Sequence, residues 1–148
     1  KLLEDPNLAE DIRKEPLYCR AKMQLKNNQY GLAVVDLNPL AKEVRTAIGA
    51  EAKYLLAYCY FQLGSIELAE EEIMSFTKMQ TSQQYWLAKS LILLADINIT
   101  RNDLFQAKQY LLALKGSYRQ EDDIQSIILE KLAQIEEQET QVTEEETL

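Results

Sequence analysis

Pairs of alanines twelve residues apart recur three times along this chain, as Ala21/Ala33, Ala57/Ala69 and Ala95/Ala107. Between the members of each pair, at one fixed offset, stands a residue that tolerates left-handed backbone: Asn28, Gly64 and Asn102. Two places later comes an apolar residue, Tyr30, Ile66 or Leu104. The unit returns after 36 and then 38 residues, a period that belongs to helical solenoids. Such units bury their apolar faces only by stacking on one another, so the repeat restricts the chain to an all-α fold whose activity is that of a stacked helical surface.

Within each unit the apolar residues recur at three and four: Leu17, Ala21 and Leu25 before the first break, Tyr30, Ala33, Leu37 and Leu40 after it. The spacing predicts two amphipathic helices around a short turn. Asn and Gly end the first helix of each pair, and Ser65 and Asp103 are placed to cap the second. The alanines fall where the paired helices cross, so that backbones approach and larger neighbours interdigitate on either side. Pro6 and Pro16 sit at expected first-turn positions, while Pro39 should kink or end the second helix of its unit near Asn38. These signals divide the chain into a remnant of a preceding repeat or linker at 1–13, repeats at 14–48, 49–82 and 83–118, a capping helix at 119–138 and an acidic tail at 139–148. The capping helix starts at Asp122-Asp123 and presents Ile124, Ile127, Ile128, Leu132 and Ile135 on one face. The tail has little to bury, and its glutamates oppose the helix dipole, so fraying is expected there.

Hydrophobic residues make up 47% of the chain, enough for a continuous core. The net charge of −8 is unevenly placed: residues 1–120 carry 15 basic and 14 acidic groups, residues 121–148 one basic and ten acidic. A nearly neutral repeat body has no field to attract nucleic acid or an anionic membrane, and no apolar run is long enough to span a bilayer. The chain opens on Lys1 without a signal-like segment, which reads as part of a longer protein. Its complete lack of His removes the commonest general base and zinc ligand. No phosphate-binding loop or nucleophile and base constellation is visible, so no enzyme, cofactor or metal is expected. Glu70-Glu71-Glu72 reads as a solvated helix face, and Cys19 and Cys59, whose registers differ by about one helical turn, as two small buried hydrophobes.

Small residues at the eighth and twentieth positions of a helix-turn-helix unit resemble the tetratricopeptide repeat over residues 14–115. Longer strings, among them Leu17-Tyr18-Cys19-Arg20-Ala21-Lys22, Gly49-Ala50-Glu51-Ala52-Lys53-Tyr54-Leu55, Tyr85-Trp86-Leu87-Ala88-Lys89 and Phe105-Gln106-Ala107-Lys108-Gln109-Tyr110-Leu111, resemble the C-terminal repeats of large tetratricopeptide proteins of Gram-negative bacteria similar to the Tol-Pal coordinator. The pattern departs from the family at its fourth position, occupied here by Leu17, Lys53 and Leu91. The resemblance implies a right-handed α-solenoid of three helix pairs plus a capping helix, acting as a non-catalytic interaction scaffold in the periplasm or cell envelope.

In that family the first helices line a concave groove, which here implies Tyr18, Lys22, Tyr54, Tyr58, Lys89 and Asp96 as partner-binding residues. Tyr18, Tyr54 and Tyr58 would offer an amphipathic surface to an extended or helical peptide, with Lys22 and Asp96 fixing its polarity. Equally, these tyrosines pack between helices with their hydroxyls at the rim. The Lys/Asn arrangement of the carboxylate-clamp subtype is replaced by Tyr18/Lys22, Tyr54/Tyr58 and Ile92/Asp96. Trp86 is expected to fill the joint between units two and three. The competing reading is structural: the end of a longer solenoid, or a homodimer, with no separate ligand. Since the alanines mark helix crossings, Ala57→Leu is expected to overpack its crossing and lower the unfolding free energy by roughly 1–3 kcal/mol in chemical denaturation.

Overall fold

A computed structural model describes the backbone of residues 6–147 and the side chains of residues 15–147. The proposed repeat remnant at 1–13 therefore lies largely outside the described residues. The described backbone is all-helical, with seven helices, and divides into two compact units, one ending at Gln83 and one beginning at Gln84. In the first, α1 (Pro6–Lys26) packs on α2 (Tyr30–Leu40), α2 on α3 (Ala47–Gln62), and α3 on α4 (Ile66–Lys78). In the second, α5 (Gln84–Thr100) pairs with α6 (Leu104–Ser117), and α7 (Ile124–Thr147) lies against both.

The three helix reversals are copies of one turn. Asn28, Gly64 and Asn102 have φ of 58°, 80° and 61°, the left-handed region that terminates helices. In each, the residue after the left-handed one donates its N–H to a carbonyl five residues back: Gln29 to Gln24 at 2.8 Å, Ser65 to Tyr60 at 2.9 Å, Asp103 to Asn98 at 2.8 Å. Carbonyls left over at the helix end are thereby satisfied. Asp103 then caps α6, accepting from the Gln106 N–H at 3.1 Å. Ser65 makes no such bond, contrary to expectation, although its backbone (φ −85°, ψ 67°) nearly matches that of Asp103 (φ −103°, ψ 74°). At this geometry the longer Asp side chain reaches the amide and the Ser hydroxyl does not.

All six alanines of the repeat are buried, none more than 1% exposed. Around them, Leu37, Leu40, Leu56 and Cys59 fill the core between α1, α2 and α3, and Ile73 and Phe76 of α4 are fully buried. In the second unit Ile92, Ala95, Ala107 and Leu111 meet the α7 stripe of Ile124, Ile128 and Ile135, with Ile127 and Leu132 half-buried beside them.

Departures from expectation have local causes. Pro16 lies inside α1 rather than in its first turn; it is exposed, where solvent takes up the carbonyl its ring leaves without a donor. Pro39 stands one residue before the end of α2. The last part of the expected tail continues α7 to Thr147, with the hydroxyls of Thr140 and Thr143 donating to carbonyls one turn back. Cys19 is exposed, and only Cys59 is buried.

The linker between α2 and α3 is held as firmly as a helix. Ala41 and Val44 are buried, Thr46 caps α3 by accepting from the Gly49 N–H at 3.0 Å, and its hydroxyl donates to the Glu43 carbonyl at 2.9 Å. That carbonyl lies so close to α3 that a Cβ on Gly49 would stand 1.7 Å from it. Alanine is ordinarily the better helix former by about 0.5–1 kcal/mol, but here the obstacle is backbone and no rotamer relieves it. Gly49→Ala is expected to destabilise the protein by about 3 kcal/mol in urea unfolding, whereas an intrinsic-propensity effect would stabilise it.

Candidate partner-binding surface

Tyr18 and Lys22 are one helical turn apart on α1, and both reach across to a single carboxylate on α3. The Tyr18 hydroxyl donates to Glu51 Oε1 at 2.5 Å, and Lys22 Nζ donates to Oε2 at 2.8 Å. Glu51 is only 7% exposed; a buried carboxylate stripped of its donors costs about 1–3 kcal/mol, so this cluster ties α1 to α3. Lys22 Nζ also stands 5.6 Å from the centroid of the Tyr18 ring, within cation–π range. The hydrogen bond to Glu51, followed by burial, pushes the Tyr18 phenol up to about 12.

Farther along α3 the surface is aromatic. Tyr54 and Tyr58, one turn apart, are near-parallel with ring centroids 6.3 Å apart and planes 26° apart. Tyr30 of α2 meets Tyr58 edge-on at 6.0 Å and 78°, and its hydroxyl donates to Asn28 Oδ1 at 3.0 Å. Burial, with Tyr30 alongside, raises the Tyr58 phenol above its ordinary value. All three rings are half-buried. Of the four first-unit site residues, Tyr18 and Lys22 are thus engaged with Glu51, while Tyr54, Tyr58 and the unanticipated Tyr30 form a cluster of partly exposed rings.

The two remaining site residues belong to the second unit. Lys89 is half-buried on α5. Asp96 accepts from Lys131 of α7 at 3.0 Å. Lys22 and Asp96 occupy one repeat position, six residues before their left-handed residue, and each pairs with an opposite charge on a helix beyond its own hairpin. Trp86 makes an edge-on contact with Tyr85 at 4.9 Å.

Two interhelix carboxylates were missed in the sequence, where Asp36 goes unremarked and Glu72 reads as part of a solvated helix face. Asp36 of α2, 3% exposed, receives both Nε and Nη2 of Arg20 at 2.7 and 2.6 Å; these bonds hold its carboxyl below the ordinary carboxylate value. Glu72 of α4 accepts from Lys53 at 2.6 Å. Asp36 and Glu72 are 36 residues apart, the repeat step itself, and that recurrence was the signal available in the sequence. Tyr118 also went unnoticed: it is 7% exposed and donates to Asp122 Oδ2 at 2.5 Å. Burial first, and Asp122 next, raise its phenol far above the ordinary value.

Among the described residues no cluster of Cys, Asp and Glu is placed to hold a metal ion, and no helix is long and apolar enough to cross a membrane. Compared with protein-family models, curated proteins and solved structures, the chain matches none.

The Tyr18 phenol has a sign-determined consequence for stability. Its value in the folded protein lies above the ordinary 10, so its contribution is present in full below pH 10 and is lost as pH rises through about 12. A tyrosinate absorbance titration of wild type minus Tyr18→Phe is expected to show one step near pH 12; a step near 10 would mean that the bond to Glu51 does not form in solution.

Proposed function

We propose that this chain is a non-catalytic protein-interaction module of stacked, tetratricopeptide-like helix pairs, and that its first unit docks a protein or peptide segment on the rings of Tyr54, Tyr58 and Tyr30. The observation that carries this reading is a cluster of three half-buried rings from α2 and α3, next to the Tyr18–Lys22–Glu51 cluster that joins α1 to α3. Tyr18 and Lys22 bond to Glu51, and the neighbouring tyrosines, half-buried, contact one another. Fixed, half-buried tyrosines present large amphipathic area at low entropic cost, which suits them to contact with a partner. The repeated turn and buried alanines support the stacked-pair architecture. The periplasmic or envelope setting extends the same resemblance to location.

A structural role competes with it, favoured by one observation: α7 covers the α5/α6 hairpin with an apolar stripe and turns glutamates outward, as a terminating helix does. The two readings differ in what Tyr54 and Tyr58 do. Peptides selected from a display library on the wild-type protein are expected to lose at least about tenfold in affinity for a Tyr54→Ala/Tyr58→Ala variant, a difference of roughly 1.4 kcal/mol. The comparison requires that the variant keep its helical circular dichroism and cooperative unfolding. Undiminished affinity would remove these rings from the binding surface.

A further inference from the structure

The first unit contains a second concavity, lined by none of its tyrosines. It lies between the linker that follows α2 and the segment that follows α4, as three adjoining hollows of about 350, 240 and 330 Å³. Lys42 and Met79 line the first two, and Arg45 and Gln80 line the first and third. We propose that this cleft binds a carboxylate borne next to an aliphatic group, the chemistry of a peptide C-terminus, with Lys42 meeting the carboxylate.

Charge selects an anion. The walls carry Lys42, Arg45 and Lys53 against Glu43 and Glu72, leaving one positive charge in excess. Both carboxylates are already paired, Glu43 with Arg45 at 2.8 Å and Glu72 with Lys53 at 2.6 Å. Lys42 has no ion pair among the described residues, so its ammonium is the group left to meet a ligand. The apolar group beside Lys42 is Met79, half-buried and lining both hollows that Lys42 lines, with Ala41 and Leu56 buried behind it and Asn38 and Ser75 completing the wall. An anion without an apolar group would leave that wall unused.

The cleft is also set before any ligand arrives. Val44 is 3% exposed, and its carbonyl accepts from Thr81 Oγ1 at 2.6 Å, which ties the two lining segments together. The contact of the Glu43 carbonyl with Gly49 holds the linker from its other side. Walls already ordered add little entropic cost to binding.

The test is a chemical-shift titration of the whole chain with three probes: N-acetylated alanyl-leucine with a free carboxylate, its C-terminal amide, and acetate. The free acid is expected to shift backbone amides within residues 38–45 and 79–82, and the amide to leave them in place. Lys42→Ala should weaken the free acid roughly fivefold, as for one exposed ion pair, and Lys42→Arg should restore it. Because Lys42 is exposed, both variants are expected to fold. Acetate is expected to act weakly; acetate acting as strongly as the peptide would overturn the assignment of an aliphatic neighbour to the carboxylate. Equal binding of the amide, an unchanged response in Lys42→Ala, or shifts confined to other residues would each overturn the proposal.

Discussion

A left-handed residue at the reversal within each helix pair is the constraint on which both units depend. The two helices of a pair are joined by only three residues, so the chain reverses there only if one residue adopts positive φ and the next returns its N–H to the preceding helix. That geometry places the alanines of the two helices against each other. With no side chain larger than a methyl at the crossing, Leu37, Leu56 and Ile73 reach past it into the core. Turn and crossing are thus one device: without the reversal the alanines would not meet, and without alanines the reversed helices would stand too far apart to exclude water.

Charged residues then fix what apolar packing leaves free. Among the described residues of the first unit, each buried carboxylate has a cation from another helix, Arg20 for Asp36 and Lys22 for Glu51, and the half-buried Glu72 has Lys53. Such pairs are weak sources of net stability, but breaking one leaves an uncompensated charge in a poor solvent for it. Their effect is to penalise wrong registers between helices more than to stabilise the right one. The Tyr18 hydroxyl adds a second donor to Glu51 and completes the coordination of that carboxylate without adding charge.

What was legible in the sequence is what repeats locally. Asn28, Gly64 and Asn102, the six alanines and the α7 stripe all act within a turn or two of themselves, so spacing alone exposes them. Less legible were the contacts made between helices. Nothing near Tyr18 in the sequence shows that its hydroxyl would meet Glu51, 33 residues away, or that Lys22 would pair with the same carboxylate. Tyr30 read only as the apolar residue after a break, and nothing local places its ring edge-on to Tyr58. Gly49 read as an ordinary helix start; its necessity comes from the Glu43 carbonyl pressed against it, which only the folded chain reveals. Pro16 and the helical course of residues 139–147 show the opposite error, where local rules against helix were outweighed by the adjoining helix.

The exchange of sign between the two interhelix pairs carries a consequence for how this chain could have been assembled and rearranged. At one repeat position Lys22 faces an anion, whereas Asp96 faces a cation. The helices are therefore keyed, not interchangeable: duplicating the first hairpin into the place of the third would set Lys22 against Lys131, and the reverse exchange Asp96 against Glu51. Once the signs had diverged, recombination among these near-identical lengths would bring like charges together, so the order of the hairpins is written in polarity as well as in shape.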